Sequence, residues 1–315
     1  MPNRTDKDKQ NGRVAILGVF VADAAYRASR QPNMGETILG ENFALGPGGK
    51  GSNQAVAAAR CGADVSFISR LGQDAFSDMA TKLYEKENIT THIEHLKDSY
   101  TGSAYIFIDQ NTGDNAIIVC PGAASTITPE SVDSARPIIE NANVFVTQLE
   151  QPADAATRAL EIARQAGVTT ILNTAPAESI DDAVFRLCDY VTPNETEVET
   201  YTGIHVASID DARKAGDVLL QKGVGTALIT LGEQGALLHN NDQSIHIPAV
   251  KVGDIAETTG AGDAFNGGFA TALAQGQAPA DAATFACTVA GISVTRAGTA
   301  PSMPLRHEVD ALMRQ

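Results

Sequence analysis

The segment ETTGAGDAFNGGF, Glu257 to Phe269, places a carboxylate, Asp263, in what reads as the first turn of a helix opening near Gly262. The turn Gly260, Ala261 and Gly262 leaves several backbone N–H groups without intrahelical partners. Such an end draws anions through hydrogen bonds and the helix dipole together. A carboxylate placed there competes with an anion unless it has a task of its own. One task is to cap the helix. The other is to accept the proton of an alcohol as its oxygen attacks a phosphoryl group, a general-base role worth about 10²–10⁴-fold in rate. The amides then stabilise charge on the transferred phosphate, so base and anion hole come from one turn.

A second cluster, GPGGKGSNQAVAAA from Gly46 to Ala59, fits G-x-G-x-x-G formally through Gly46, Gly48 and Gly51. Its context weighs against a nicotinamide dehydrogenase. It does not follow the first strand, Pro47 interrupts it, and Arg70 stands where an acidic residue should end the next strand. No G-x-x-x-x-G-K-[ST] pattern occurs anywhere. What the segment offers is a glycine turn on a helix N-terminus with Lys50 and Asn53 projecting from it, suited to a polyhydroxylated or anionic ligand. These two turns hold eight of the 28 glycines. Glycine gathers where backbone must approach something closely or take positive φ.

The elements that must position these turns alternate between short apolar runs and helical periods, the pattern of a mainly parallel sheet with helices on both faces. RVAILG (Arg13 to Gly18), DVSFIS (Asp64 to Ser69), NVFVTQ (Asn143 to Gln148), VTTILN (Val168 to Asn173), YVTPN (Tyr190 to Asn194) and TALITLG (Thr226 to Gly232) read as strands. Helices are predicted over Ser52 to Gly62, Asp154 to Ala166, Asp210 to Lys222, Ala264 to Gln275 and Pro279 to Arg296. ETILGENFAL (Glu36 to Leu45) and the hairpin SAYIFIDQNTGDNAIIV (Ser103 to Val119, turning at Asn111 to Asp114) break the rhythm. They are expected to form a small β lid inserted at about 34–46 and 100–120, whose open edges suit pairing with a second copy. Residues 1–12 read as a loose tail and 13–315 as one domain.

Composition narrows the partners. The net charge of −15, from 23 Lys+Arg against 38 Asp+Glu, repels nucleic acid, and no apolar run is long enough for a membrane span. The polar N-terminus lacks a signal-peptide stretch, so the chain reads as cytosolic. Cys61, Cys120, Cys188 and Cys287 are too scattered for a metal site and are expected as buried or half-buried thiols. His92 and His95 would share a face on a helix, but no carboxylate or thiol cluster completes a zinc site.

GGKGSNQAVAAARCGADVSFISRLGQD (Gly48 to Asp74) and ETTGAGDAFNGGF resemble the two signatures of the ribokinase, or phosphofructokinase-B-type, carbohydrate kinases. TPNETEVE (Thr192 to Glu199), TLGEQGA (Thr230 to Ala236) and VTRAGTAPS (Val294 to Ser302) are similar to shorter motifs of the same family, and the likeness runs from about Val14 to the C-terminus. The resemblance implies an α/β fold, a three-layer α/β/α sandwich with a mainly parallel central sheet and a small β lid often shared in a homodimer. It implies transfer of the γ-phosphate of ATP to the primary hydroxyl of a pentose, most simply ribose.

By the same resemblance Asp263 is the catalytic base, with Gly260, Ala261 and Gly262 as the anion hole. Asp23, Gly49, Lys50, Asn53 and Glu150 contact the sugar. Asn194 and Glu197 form an N-x-x-E element associated with Mg²⁺ and phosphate, although NETE by itself reads as a solvated helix start. Thr230, Gly232 and Gly235 border the nucleotide. A monovalent cation, normally K⁺, is implied at Glu257, Thr259, Ser293, Arg296, Gly298 and Ser302, mostly through backbone carbonyls.

Two positions depart from the family pattern. Glu257 replaces the usual aspartate, and its longer side chain must fold back to hold the ion. Val21 stands where ribokinases carry an asparagine, an apolar choice shared with deoxyribose kinases, so ribose and 2-deoxyribose are both candidate substrates. Another carbohydrate or nucleoside kinase of the family is a further alternative. A sugar-sensing relative without catalysis is a different class, opposed by the retention of Asp263 and its glycines.

Overall fold

The computed structural model describes residues 12–314. Most of the expected tail therefore lies outside the described residues, while Gly12 is already buried, so close to the backbone of Ala274 that a Cβ would meet it at 2.2 Å.

Val14 and Ile16 of strand β1 (Arg13–Leu17) pack into one apolar cluster, and Ala15 and Leu17 into another. The period of two makes this strand a divider between layers. Parallel partners flank it: β4 (Asp64–Gly72) on one side and β8 (Val144–Thr147) on the other. Beyond β4 lies β5 (Thr90–Leu96), and beyond β8 come β9 (Thr169–Leu172), β10 (Tyr190–Val191) and β11 (Thr226–Thr230), all parallel. The hairpin β12 (Ala236–His239) and β13 (Ser244–Ile247) adds an antiparallel edge and completes nine strands.

Helices α1 (Lys50–Arg60), α8 (Ala261–Ala274) and α9 (Pro279–Ser293) cover the Val14 face. The other face carries α5 (Ala153–Gln165) and α7 (Ile209–Gln221). The mainly parallel three-layer sandwich is thus as the sequence predicts, with helix bounds within about three residues of those expected.

Other elements were not visible in the pattern. Helix α2 (Ala75–Lys86) opens on Asp74, whose side chain accepts from the amides of Phe76 and Ser77. The short helices α3 (Pro129–Ser134) and α4 (Arg136–Glu140) precede β8, and α10 (Arg306–Met313) follows α9, whereas α6 (Glu195–Thr202) begins where NETE suggests a helix start. His92 and His95 lie on β5, where a spacing of three puts them on opposite faces, and the described residues contain no metal-binding group of His, Cys, Asp and Glu. Cys61, Cys188 and Cys287 are buried, whereas Cys120 is exposed, contrary to the expectation of four sheltered thiols.

The second sheet has the order β3-β2-β6-β7, built from β2 (Val21–Ala28), β3 (Asn42–Gly48), β6 (Thr101–Asp109) and β7 (Asn115–Gly122). The hairpin forms where its turn residues place it. The first inserted segment differs from expectation: residues 36–40 are irregular and the strand begins at Asn42. A further strand, β2, pairs with β3 on one side and β6 on the other, and it escaped the sequence reading because VADAAYRA lacks the alternation that marks a strand when read alone.

Candidate active site

The chain leaves β1 toward β4 on one side and later returns to β8 on the other, so the sheet has a switch point between β1 and β8. Open α/β sheets bind ligands in the crevice outside the carboxyl ends of the strands at such a point. Gln148 and Glu150 follow β8, Asn173 and Thr174 follow β9, Asn194 follows β10, and Gly232 follows β11. A cleft of about 780 Å³ opens between the inner face of the lid and the loops 255–259 and 297–301.

Helices α1 and α8 enter this region by their N-termini. Gly49 (φ +89°) and Gly260 (φ +84°) are their N-caps, each in the positive-φ range that glycine tolerates. The two helices lie unusually close: a Cβ on Gly267 would meet Ala57 Cβ at 2.5 Å and the Gln54 carbonyl at 2.6 Å. This approach brings α1 side chains onto Asp263. Asn53 Nδ2 donates to Asp263 Oδ2 at 2.9 Å and Gln54 Nε2 to Oδ1 at 3.1 Å. The carboxylate is therefore no helix cap, and Gly260 receives no side-chain hydrogen bond. Around it the amide of Ala261 turns back to the Thr258 carbonyl at 3.1 Å. The amides of Gly262 and Asp263 find no acceptor among the described residues.

Charges converge on the same spot. Burial holds Asp263 above the usual carboxylate range, against the nearby Lys50 ammonium and the two amides. Burial alone would lower the Lys50 pKa, but the carboxylates of Asp263, Glu150 and Glu197 outweigh it and hold the ammonium above the ordinary lysine range. Asp23 is pushed up to about 6 by burial, with Asp263 and Glu257 adding like charge. Its Oδ2 lies 2.0 Å from where a Gly48 Cβ would stand, so glycine there leaves the space the carboxylate occupies. Glu150 accepts the backbone amide of Lys50 at 2.8 Å and is pushed up to about 7 by burial, with Lys50 opposing.

Because its folded pKa lies above the ordinary value of 4.5, the charge on Glu150 costs stability as pH rises from about 4.5 through 7. A glutamine side chain at this position keeps an acceptor for the Lys50 amide without that charge. Glu150→Gln is therefore expected to match the wild type near pH 4.5 and to gain on it by up to roughly 3 kcal/mol near pH 8. Urea midpoints of both proteins across this range check it, and a gap independent of pH would refute it.

Asn194 and Glu197 form a reciprocal cap on α6. Asn194 Oδ1 accepts the Glu197 amide at 2.8 Å, and Glu197 Oε2 accepts the Asn194 amide at 3.1 Å. Glu197 is buried, raised in pKa by that burial, and further bound by Thr174 Oγ1 at 3.2 Å. The solvated helix start suggested by NETE is thus a sheltered one. Thr230 ends β11, and the loop from Gly232 (φ +51°) to Gly235 (φ +99°) follows. A Gly232 Cβ would lie 3.6 Å from Glu195 Oε1, which puts this loop beside α6.

The residues expected around a cation are only partly gathered. Glu257 folds back so that Oε2 accepts the Gly298 amide at 2.8 Å, and Thr258, Thr259, Gly298 and Thr299 line the cleft together. Arg296 points its guanidinium at Glu308, 2.5 Å away, and Ser293 and Ser302 spend their hydroxyls on the carbonyls of Ala290 and Thr299. Val21 lies on the same face of β2 as Asp23, one step deeper and 4% exposed, with its Cγ1 2.9 Å from where a Gly102 Cβ would be.

Sequence reasoning missed the amides behind Asp263. Gln54 Oε1 accepts from Gln148 Nε2 at 2.6 Å, and Gln54 Nε2 also reaches Asn173 Oδ1 at 3.1 Å. Asn173 binds the Thr192 carbonyl, Thr192 Oγ1 donates to Asn266 Oδ1 at 2.7 Å, and Asn266 closes on the Gly262 carbonyl. The only local signal was a glutamine beside Asn53 inside an otherwise apolar helix face.

Comparison with known proteins agrees with this geometry. The pfkB family of carbohydrate kinases matches residues 12–306. The chain is 39% identical to a ribokinase of Haemophilus influenzae, covering 94% of this chain and 96% of that one. It is 36% identical to a deoxyribokinase of Salmonella typhi, covering 92% and 95%. The structure of Arabidopsis thaliana ribokinase complexed with ribose and ATP superposes with a TM-score of 0.92 at 28% identity, over 97% of this chain and 99% of that one. From the switch-point crevice, the paired glycine turns and this likeness along nearly the whole chain, the protein belongs to the pfkB family of carbohydrate kinases.

Proposed function

We propose that this protein is an ATP-dependent sugar kinase that phosphorylates the primary hydroxyl of a pentose, with D-ribose as its substrate. The observation that carries the reading is Asp263, a buried carboxylate in the first turn of α8 beside amides without acceptors. Asp263 takes the proton of the hydroxyl as its oxygen forms a bond to the γ-phosphorus. The bond from that phosphorus to the β,γ-bridging oxygen breaks, and its electron pair leaves with ADP. The amides of Gly262 and Asp263, with Gly260 shaping the turn, stabilise the charge on the transferred group. Asp23, Gly49, Lys50, Asn53 and Glu150 hold the sugar. Thr230, Gly232 and Gly235 border the nucleotide. The lid excludes water that would otherwise hydrolyse ATP.

Asn194 and Glu197 already bond to each other, so they suit Mg²⁺ through intervening water, and the ion supplies charge neutralisation on the phosphates. The carbonyls of Arg296 and Gly298 accept no hydrogen bond among the described residues, and oxygen donors of this kind suit K⁺. Glu257 reaches the Gly298 amide and Thr259 lines the same cleft as Gly298, while Ser293 and Ser302 flank these positions in sequence.

Tyr26, Phe43 and Ile118 share the outer face of the lid by strand register and are 45%, 52% and 64% exposed. This apolar face supports a homodimer, and light scattering should find twice 32.9 kDa. The kinase reading includes a cytoplasmic location; no helix among the described residues is long and apolar enough to cross a membrane.

ATP-consumption assays with ribose, 2-deoxyribose, other pentoses, ketohexoses and nucleosides, with and without Mg²⁺ and K⁺, test the reading. Ribose should give the highest kcat/KM, and K⁺ should raise it. Phosphorylation of no pentose would overturn it. The second reading, 2-deoxyribose, is favoured by the apolar Val21 and by the likeness to a deoxyribokinase.

A further inference from the structure

An ionised carboxylate can only accept hydrogen bonds, and this fixes the direction of every amide behind Asp263. Gln54, fully buried on α1, must turn its NH₂ to Asp263 Oδ1, 3.1 Å away. Its carbonyl oxygen then faces Gln148, which must present its own NH₂, at 2.6 Å. The chain ends at Gln148 Oε1, which is buried without a partner in the crevice between β1 and β8. A Cβ on Gly18 would stand 2.5 Å from that oxygen and one on Gly51 2.9 Å, so two glycines make room for Gln148.

We propose that Gln54 is a positioning residue for phosphoryl transfer, its amide oriented by Gln148 so that the Asp263 carboxylate keeps one orientation and its charge while facing the acceptor hydroxyl. This rests on the kinase reading above. Asn53 binds the other oxygen, Oδ2, but it is itself assigned to the sugar, whereas Gln148 has no hydrogen bond to Asp263 and is linked to it through Gln54. The remaining charges that bear on Asp263 are Lys50 from α1, which favours ionisation, and Asp23 from β2, Glu150 after β8 and Glu197 from α6, which oppose it. Burial works against the charged form of Asp263, and Lys50 with the Asn53 and Gln54 donors works for it. A hydrogen bond to the charged form lowers a carboxyl pKa, and its loss raises it.

Gln54→Met keeps the length and loses both donors. The acid limb of its kcat profile should move up by about one pH unit, so that kcat on that limb falls about tenfold at a given pH and recovers at high pH. The KM for ribose should stay within about twofold, since the sugar contacts are untouched. Gln148→Met should move the limb in the same direction by less, because Gln54 Oε1 then loses its donor while Asp263 and Asn173 still hold the Gln54 NH₂. An unmoved acid limb in Gln54→Met, or a loss confined to KM, overturns the proposal. Should that variant not fold, an unmoved limb in Gln148→Met overturns it equally. A wild type that phosphorylates no pentose would instead overturn the kinase reading itself.

Discussion

Asp263→Asn is expected to lower kcat by about 10²–10⁴-fold while changing the sugar KM far less. The carboxamide cannot take a proton from the acceptor hydroxyl. It also puts an NH₂ where both Asn53 and Gln54 already present one, so one of two short contacts turns from attraction to repulsion. Asp23, Lys50 and Glu150 remain to hold the sugar, and the amides of the α8 turn remain for the phosphate. Residual activity should come from these alone. Steady-state kinetics with ribose and ATP check the split between kcat and KM. Normal turnover would remove Asp263 from the chemistry, and the reading of the whole turn with it.

Val21→Asn is expected to raise the preference for ribose over 2-deoxyribose by roughly 10²-fold in kcat/KM. Val21 is almost fully enclosed at the root of the lid, on the face of β2 that carries Asp23. An apolar side chain there rejects an added hydroxyl only about 10²-fold, whereas a buried amide needs a partner and discriminates strongly against a ligand that lacks one. The variant should pair with the ribose hydroxyl and leave its amide unsatisfied with deoxyribose. The same unsatisfied amide should lower the stability of the ligand-free protein by about 1–3 kcal/mol, recovered in part when ribose binds. A ratio that does not change with the substitution would show that position 21 does not govern the choice.

Net charge and local charge act on different scales in this molecule. The −15 of the chain sets its long-range field. The anion-directed groups are the amides of Gly262 and Asp263 at the glycine-capped start of α8, beside one lysine whose pKa nearby carboxylates raise. An acidic protein can therefore offer hydrogen-bond donors to an anion locally while its long-range field repels a polyanion.

The sequence by itself determined the elements whose instructions are local. A short continuous apolar run, as in Val14 to Leu17, reads as a strand and is one, with alternate residues in the two apolar clusters. Glycines before Lys50 and Ala261 announced helix starts, because positive φ at an N-cap is a property of one residue. The helix stop at Gly62 and the hairpin turn at 110–114 are equally local. Tertiary structure alone decided what depends on contacts distant in the chain. The strand β2 exists because two partners flank it, not because VADAAYRA has strand periodicity. Glu257 finds Gly298 41 residues away, and Gln54 finds Asp263 209 residues away, where Gly267 lets two helices approach. A residue's type states what it can bond to, but only the packing of helix on helix fixes which partner comes within reach, and the environment of the base is made of such encounters.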